Sequence, residues 1–408
     1  MSRVRIGLLL QGGATWVGGF EYIRNLAFAL QRLRDDQALD FDLHLLSPRP
    51  LDPFVHGELA AEGFVLRVLD APPSDRQTYW RERGERFLRG SNPRLHTQLN
   101  DAPYDFVYPY FAGYRPQADF PYASWIADFQ HRHLPQLFSL RQRLARDWAF
   151  RLMARQAPQV VLSSEDARGD FQRFFPQAQA RARVLRFCTP LRSHWLQDDA
   201  RAVADAYELP ARYFMVCNQF WSHKNHLALF RAIAQLRRAL PDLCVVCTGK
   251  LEEYRDPTYT QALKALLEAE GLEAHVKLLG LIPRSDQVQL MRRALAIVQP
   301  SRFEGWSTVV EDAKALGKTL ILSNLAVHRE QAPPFAHFFH PNDVGLLAEH
   351  MRALWLEGAE GHDPQREAQA QAANEKKVLD YANSFLDIAG FSLPSLRRPS
   401  SSMPSQGR

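Results

Sequence analysis

Two glutamates and two hydroxyl side chains occur together in the segment FEGWSTVVEDAKALGK, residues 303–318, between two apolar runs. Thr308 and Glu311 have the spacing of a capping box, and Gly317 stands where a helix would end. The segment therefore predicts a strand, a loop, a helix that starts near Thr308, and a second strand. Strands joined through a helix are usually parallel, and their sheets bind ligands where the strands end, so this loop lies at a binding edge.

The residue types in this loop fit a ligand that carries both phosphate and hydroxyl groups. A helix start offers unpaired backbone N–H groups and a partial positive charge, which together bind phosphate. Gly305, beside Trp306, lets a ligand approach the backbone closely. Carboxylates next to a phosphate need hydroxyl partners, so Glu304 and Glu311 predict sugar rings on either side of a diphosphate. The alternative is structural: Glu311 caps the helix and Glu304 is a solvated loop charge.

A second strand-to-helix segment, CNQFWSHKNHLALFRAIAQL, carries a candidate phosphate ligand. It places Lys224 at the positive end of a helix that begins near His226. A cation in this position opposes the helix dipole by roughly 0.3–1 kcal/mol unless an anion lies nearby. A phosphate shared by Lys224 and the GWST turn would remove the conflict. The alternative is a solvated lysine whose side chain swings away.

A glycine-rich segment near the amino end, QGGATWVGGF, follows the first strand and opens a helix. Gly12, Gly13, Gly18 and Gly19 predict a loop that either closes over a ligand or only turns tightly. The pattern is not G-x-G-x-x-G, and no acidic residue follows at the required distance. Dehydrogenase chemistry on a dinucleotide is therefore not expected.

The segment SWIADFQHRHLPQLFS places Asp128, Gln130, His131 and His133 directly after a strand of the first half. We interpret His131 as a cleft residue that touches the donor sugar or a substrate hydroxyl. Metal binding by His131 and His133 is one alternative, and purely structural histidines are another. Because no third ligand is evident, the sequence predicts no metal site.

Length and composition indicate a two-domain protein in the cytosol. The 408 residues exceed the usual size of a single core, and the longest apolar runs are strand-sized, short of the ~20 residues of a membrane span. No export signal is evident, so the four cysteines are expected to be reduced. Cys244 and Cys247 lie three apart on a predicted strand and face opposite sides, which excludes a shared metal or disulfide.

Apolar strands alternate with helical stretches in both halves of the chain, which predicts two Rossmann-like parallel-sheet lobes around a cleft. The seven strands of the first half are expected to form one mainly parallel sheet. Asp40 and Asp42, a D-x-D pair, are interpreted as the start of a strand. The predicted boundaries are residues 1–197 for the first lobe, 198–374 for the second, 375–390 for a helix that crosses back, and 391–408 for a disordered tail.

The net charge of +5 and the pI of about 9.0 fit an anionic substrate or acidic lipid headgroups better than a nucleic acid, for which no module is visible. An arginine-rich helical stretch near residues 137–156 is either a solvated face or a peripheral contact with an anionic membrane. We therefore expect a cytoplasmic protein, with possible attachment at the inner face of the membrane and no nucleic-acid partner.

The combined pattern, from the glycine loop through KNH to PSRFEGWSTVVEDAKALGK, resembles glycosyltransferase family 4. The resemblance implies an α/β GT-B fold and a retaining enzyme that transfers a hexose-like unit from a nucleotide-diphosphate sugar to a glycan or lipid-linked acceptor. Surface polysaccharide, lipopolysaccharide or glycolipid synthesis is implied as the setting. It implies no cofactor and no metal, because the nucleotide sugar is a co-substrate.

The resemblance also implies roles for individual residues. A glutamate at the front of the family motif contacts sugar hydroxyls, which corresponds to Glu304, and a glutamate in the following helix holds the ribose, which corresponds to Glu311. The phosphate lysine corresponds to Lys224 and the first-lobe histidine to His131. The catalytic candidates are thus Lys224, Glu304 and His131. The donor-binding candidates are Glu311, Ser307, Thr308, Gly305, Trp306, Asn218, Gln219, Gly249, Lys250, Gly18 and Gly19.

Two features of the chain depart from this pattern. The family motif usually has seven residues between its glutamates, whereas six lie between Glu304 and Glu311. The family usually carries a Gly-Arg pair where this chain has Asn218 and Gln219, so an arginine of the phosphate clamp is missing. A nucleotide-sugar epimerase and a catalytically silent nucleotide-sugar-binding subunit are the alternative functions.

Overall fold

The apolar runs of the chain form parallel strands whose side chains are mostly buried, and helices cover the sheets. In this computed structural model the described residues are 3–12, 17–48, 50–69, 93–101, 104–111, 118, 120–251, 256–357 and 361–397. Every pairing between named strands is parallel in this part of the chain. The predicted α/β class with two parallel-sheet lobes is therefore confirmed.

The first lobe contains the seven predicted strands, but they form two sheets rather than one. Their orders are β3-β2-β1-β4 and β5-β6-β7. In the described part of the chain, a single parallel bridge between Val107 and Tyr122 links the two sheets. The strands are β1 (Val4–Leu9), β2 (Phe41–Ser47), β3 (Val65–Val68), β4 (Phe106–Tyr108), β5 (Ser124–Ile126), β6 (Gln159–Leu162) and β7 (Arg181–Val184).

Helices pack on both sides of these sheets, and one long helix begins directly after β1. Its buried face includes Tyr22, Ile23 and Leu26, which pack into the core of the β1 sheet. The helices of the first lobe are α1 (Val17–Asp36), α2 (Pro53–Ala61), α3 (Pro93–Asn100), α4 (Gln130–His133), α5 (Leu140–Gln156) and α6 (Glu165–Phe174).

The second lobe is a six-stranded sheet with the order β10-β9-β8-β11-β12-β13. Five of its strands were predicted, and β13 was not. The strands are β8 (Phe214–Cys217), β9 (Val245–Thr248), β10 (Val276–Gly280), β11 (Ala296–Gln299), β12 (Leu320–Ser323) and β13 (Ala336–Phe339). Its helices are α7 (Ala200–Ala206), α8 (His226–Leu236), α9 (Pro257–Ala269), α10 (Arg284–Arg293), α11 (Thr308–Ala315), α12 (Ala326–Gln331) and α13 (Val344–Glu357).

The last helix, α14 (Pro364–Ala389), contacts both lobes and starts earlier than the predicted residue 375. Its first half contacts α11, and its second half buries Tyr381 and Phe385 in the core of the first lobe. Gly390 ends it in the left-handed region, with φ of 81°. Residues 393–396 then form a 3₁₀ turn, so this part of the predicted tail is ordered, whereas residues 398–408 lie outside the described residues.

The four cysteines are unpaired in the structure. Burial raises the pKa of the Cys244 thiol to about 11, so this side chain stays protonated near neutral pH. Among the described helices, none is both long and apolar enough to cross a membrane.

Candidate functional site

A cavity of about 380 Å³ lies between the two lobes, where strands of both sheets end. The first lobe contributes residues that follow β5 and the first turns of α1. The second lobe contributes residues that follow β8, β9 and β11. This is the edge at which parallel α/β sheets bind their ligands. The loop singled out in the sequence, between β11 and α11, forms one wall.

Lys224 and Glu304 meet in this cavity. The Lys224 ammonium donates to Oε1 of Glu304 at 2.7 Å, and their side chains are only 15% and 8% exposed. Lys224 ends a single 3₁₀ turn after β8, and the next residue, Asn225, adopts the left-handed conformation with φ of 62°. The Asn225 amide donates to the carbonyls of Pro300 and Pro341 at 3.0 and 2.9 Å. The lysine is therefore held in position rather than swung into solvent.

A buried amide that sequence reasoning missed supports the Glu304 carboxylate. Gln299, at the end of β11, donates through Nε2 to Glu304 at 2.9 Å and also lies 3.3 Å from Oγ of Ser307. Its carbonyl oxygen accepts from Nδ2 of Asn218 at 2.5 Å. Asn218 and Ser307 are thus connected to the Glu304 carboxylate through Gln299. The signal in the sequence was a glutamine inside an otherwise apolar strand.

The helix start at α11 differs by one residue from the prediction. Ser307, not Thr308, is the N-cap, and its Oγ accepts from the Val310 N–H at 3.4 Å. The predicted capping box of Thr308 and Glu311 is therefore wrong, because Thr308 is already the first helical residue. Thr308 and Ser307 line the cavity, so the amino end of α11 faces it.

The two carboxylates of α11 are both buried but have different partners. Glu311 is buried behind the cavity wall, where Oε1 accepts from Gln331 at 2.8 Å and from Lys314 at 3.0 Å. Burial raises the pKa of this carboxyl, and Lys314 opposes the effect. Asp312, one residue later, lines the cavity instead. Seven residues lie between Glu304 and Asp312, which is the spacing of the family motif. The motif spacing and the cavity lining therefore both favour Asp312 over Glu311 as the match.

Arg284, which sequence reasoning did not select, supplies a second cation in the cavity. It is the first residue of α10, and its Nη2 donates to Oδ1 of Asp312 at 2.5 Å. Its guanidinium lies 5.4 Å from the ring centroid of Trp195. The second-lobe wall therefore presents two pairs of opposite charge, Lys224 with Glu304 and Arg284 with Asp312. Lys224 can exchange its carboxylate partner for a phosphate, and Arg284 has a buried Nε without a hydrogen-bond partner while it keeps Asp312.

The β11–α11 loop contacts the first lobe closely at Gly305 and Trp306. A Cβ added to Gly305 would lie 2.4 Å from the Ala127 carbonyl oxygen and 2.9 Å from Cβ of Asp128. The Trp306 indole N–H donates to the Phe187 carbonyl at 2.9 Å. Glycine is required here because the backbones of the two lobes nearly touch.

The segment after β9 contributes Gly249 to the cavity, as expected. It has φ of +114°, and a Cβ there would lie 2.3 Å from the carbonyl oxygen of Asn218, so only glycine fits. Gln219 lines the cavity beside it. The neighbouring Lys250 has an exposed side chain and accepts from the Phe220 N–H through its carbonyl at 3.1 Å.

The second glycine pair of the first-lobe segment is helical where the sequence predicted a loop, whereas Gly12 lies outside any helix with φ of 81°. Gly18 and Gly19 lie in the first turn of α1, with Gly18 on the cavity and Gly19 buried. Gly13 lies outside the described residues. One turn further on, Glu21 and Tyr22 also line the cavity, and Tyr22 stacks on Trp125 with ring centroids 4.2 Å apart.

His131 is not where the sequence placed it. It is buried against Phe150, with ring centroids 5.4 Å apart, and its Nε2 pairs with Oδ1 of Asp147 at 2.8 Å. Burial lowers the pKa of this imidazole, and Asp147 opposes the effect. The neighbours Asp128 and Gln130 line the cavity in its place. His131 is therefore buried inside the first lobe and is not among the residues that line the cavity.

His226 closely follows the 3₁₀ turn that carries Lys224 and anchors this turn in the core. It begins α8, is fully buried, and stacks on Phe220 with ring centroids 4.1 Å apart. Neither ring nitrogen has a hydrogen-bond partner. Burial, together with the nearby Lys224 charge, lowers the pKa of His226 to about 3. The ring is therefore neutral at pH 7.

The free energy of unfolding should fall on acidification because of His226. The unfolded chain protonates this histidine near its ordinary pKa of 6.5, whereas the folded chain does so only near 3. The unfolded state thus binds more protons, and stability declines from pH 6.5 downward. Between pH 6.5 and 4.5 this loss of stability amounts to about 2–3 kcal/mol.

Urea titrations at pH 6.5 and 4.5 measure the free energy of unfolding at each pH. The difference between the two values should be smaller for His226→Phe than for the wild type. The exposed His194→Gln serves as the control, and an unchanged difference in His226→Phe would contradict the assignment.

Among the described residues, no group of three His, Cys, Asp or Glu side chains could hold a metal ion. The charged side chains that line the cavity are two cations and four carboxylates, and they lie beside the amino end of a helix. The carboxylates are Glu21, Asp128, Glu304 and Asp312. This set suits a ligand with a diphosphate at one end and hydroxyl groups elsewhere.

Comparisons with known proteins agree with this geometry. Residues 204–376, which span most of the second lobe and the first half of α14, match the model of the family described as glycosyl transferases group 1. This match supports a glycosyltransferase. A search of curated proteins gives no significant match.

Several solved structures share the whole architecture. HepE from Anabaena, in complex with UDP and glucose, is 18% identical with a TM-score of 0.65, over 95% of this chain and 99% of that chain. Sucrose-phosphate synthase from Thermosynechococcus elongatus is 17% identical with a TM-score of 0.66, over 97% and 98%. WaaG, a glycosyltransferase involved in lipopolysaccharide biosynthesis, is 13% identical with a TM-score of 0.58, over 96% and 97%. At these identities the likeness shows the fold, which is GT-B.

Proposed function

We propose that this protein is a glycosyltransferase of family 4 that moves a hexose-like unit from a nucleotide-diphosphate sugar to an acceptor hydroxyl. The observation that carries the proposal is the Lys224–Glu304 pair, held at 2.7 Å beside the amino end of α11 in the interlobe cavity. The Lys224 ammonium suits phosphate, and the Glu304 carboxylate suits sugar hydroxyls. The group 1 match over the same lobe supports the assignment.

In the proposed complex the donor diphosphate takes Lys224 and the backbone N–H groups near Ser307 and Thr308. Both sets of groups concentrate positive charge at one place, where the charge of the leaving diphosphate develops. Arg284 lies on the same wall. Its charge takes the place of the family arginine that is missing from this chain, where Gln219 stands instead. Glu304, released from Lys224, accepts from hydroxyls of the donor sugar.

The ribose is assigned to Asp312 rather than to Glu311, because Asp312 lines the cavity and Glu311 is held behind its wall by Lys314 and Gln331. Arg284 orients the Asp312 carboxylate through the 2.5 Å hydrogen bond. The first-lobe side, with Asp128 and Glu21, is left for the acceptor. Carboxylates there suit the hydroxyls of a glycan or a glycan on a lipid carrier.

The chemical step breaks the bond between the sugar C1 and the diphosphate oxygen, and the bonding electrons leave with the oxygen. The acceptor oxygen forms the new bond to C1, and its proton passes to the departing phosphate oxygen. No strong protein base is then required. Retention of configuration is proposed from the family resemblance. Neutralisation of the diphosphate by Lys224, Arg284 and the α11 dipole makes the proposed reaction independent of metal.

A donor-turnover assay tests the function. The full-length protein is incubated with UDP-, GDP- and ADP-sugars in the presence of a chelator, with and without candidate glycan and glycolipid acceptors, and release of the nucleoside diphosphate is measured. We expect release from one donor that increases severalfold with acceptor; UDP-glucose is the first to test, because HepE binds UDP and glucose. Conversion of donor into an epimer without acceptor would assign an epimerase, and tight binding without any turnover would assign a silent subunit.

A further inference from the structure

Three large apolar side chains lie exposed along one side of α5. Leu140, Leu144 and Trp148 are 67%, 60% and 48% exposed and are spaced four residues apart, so they line one face of the helix. All of residues 140–146 are exposed, and the helix packs into the lobe only from Asp147 onward. The first two turns of α5 therefore project from the protein.

The projecting turns are capped and packed at their start in spite of their exposure. Ser139 and Gln142 form a complete capping box, in which each side chain bonds the backbone N–H of the other. Arg146 adds a contact over the Phe138 ring, 4.9 Å from its centroid. Exposed leucines on a capped helix form a pre-ordered surface, which lowers the entropic cost of docking.

The same turns carry a concentrated positive charge. Helix α5 contains five arginines and a single acidic residue, Asp147. The Asp147 carboxylate is already engaged, since it accepts from His131 at 2.8 Å and from Arg132 at 2.7 Å. The exposed arginines are consequently left without a compensating acid on the helix itself. They are Arg141, Arg143, Arg146, Arg151 and Arg155.

Side-chain contacts connect helix α5, which carries this projecting face, to residues on the acceptor side of the cavity. Gln130 lines the cavity, and its neighbour His131 bonds Asp147 on α5. Phe129 packs edge-on against Phe150, also on α5, with ring centroids 5.5 Å apart. A surface bound by α5 would thus lie close to the first-lobe half of the cavity.

We propose that the first two turns of α5 dock this protein on an anionic lipid bilayer. Leu140, Leu144 and Trp148 enter the headgroup region, and the arginines pair with acidic lipid headgroups. Apolar side chains flanked by arginines fit a bilayer surface, whereas a purely anionic soluble partner would leave the leucines in water. The inference rests on the proposed function in one respect: it makes the acceptor a lipid-linked molecule of that bilayer.

Vesicle co-sedimentation tests the docking without any activity measurement. We expect full-length protein to bind vesicles of phosphatidylcholine with about 30% phosphatidylglycerol, not phosphatidylcholine alone, and to be released at high salt. The double variant Leu140→Ser/Leu144→Ser should bind the anionic vesicles at least about tenfold more weakly. The double variant Arg141→Gln/Arg143→Gln should bind the anionic vesicles about fivefold more weakly for each arginine removed.

Matched controls lie on the second lobe. Leu356→Ser removes a leucine that is 57% exposed on α13, and Arg238→Gln removes an exposed arginine; both should bind vesicles like the wild type. Absence of binding by the wild type, or equal binding by the leucine double variant, would overturn the proposal. So would a concentration-dependent dimer that the leucine variant dissociates, since the face would then belong to a second copy. Turnover of soluble acceptors should persist in the leucine variant, which separates failure of docking from failure of the proposed function.

Discussion

Replacing Lys224 by alanine is expected to lower kcat/KM for donor turnover by about 10²–10³-fold, because a charged group aimed at the leaving diphosphate is lost. The residue is fixed in the cavity by its 2.7 Å contact with Glu304 and by the Asn225 turn. Steady-state kinetics with the active donor measures the effect. Some loss of stability is also expected, since Glu304 keeps Gln299 but loses its cation.

Lys314→Ala is the matched control for this variant. Lys314 also pairs with a buried glutamate, at 3.0 Å from Glu311, but the pair lies behind the cavity wall. Both variants should lower Tm by comparable amounts, whereas Lys314→Ala should keep kcat/KM within a few-fold of the wild type. Equal kinetic losses in the two variants would mean that Lys224 acts through folding alone, and wild-type turnover by Lys224→Ala would refute the phosphate assignment.

The second large effect is expected from the three carboxylates of the opening segment. Glu304→Gln should reduce kcat/KM by roughly tenfold to hundredfold, because a charge-assisted hydrogen bond to the donor sugar becomes a neutral one. Asp312→Asn should mainly raise the donor KM, since the ribose contact is made in both the ground and the transition state. Glu311→Gln should leave both parameters near the wild-type values. Kinetics of the three variants with one donor gives the comparison.

Stability measurements complete this series. Glu311 is buried and bonded to Lys314 and Gln331, so Glu311→Gln should lower Tm even though its kinetics are preserved. If Glu311→Gln raised the donor KM and Asp312→Asn did not, the ribose would belong to Glu311, and the assignment made from the cavity wall would be wrong.

The sequence predicts the architecture well where buried strands have continuous apolar runs. LAIVQPS and TLILS became β11 and β12 because both faces of a central parallel strand are covered by helices. The missed strand β13, Ala336–Phe339, lies at the edge of the sheet and contains a histidine, so its pattern resembles a loop. The first-lobe sheet divides near Val107 because of pairing geometry, which residue types do not encode.

The site was predicted in part because Lys224 and Glu304 lie in loops whose positions follow from the strand order. Glu311 and Asp312 differ by one position, about 100° around the helix, and only the partners of each side chain decide which one faces the cavity. Those partners are distant in sequence: Gln331 is 20 residues from Glu311, and Arg284 is 28 residues from Asp312. His131 was misplaced for the same reason, since its partner Asp147 lies on a different helix.

The central claim is that the amino end of α11 and Lys224 together bind a diphosphate, and calorimetry of a phosphate series tests it most directly. The wild-type protein is titrated with a nucleoside, its monophosphate and its diphosphate, for the bases uracil, guanine and adenine, and the diphosphate series is repeated with Lys224→Ala and Lys314→Ala. We expect affinity for one base to rise at least tenfold from nucleoside to diphosphate, and this gain to disappear in Lys224→Ala but not in Lys314→Ala. A diphosphate that binds no more tightly than its nucleoside, or a gain that survives the loss of Lys224, would contradict the account.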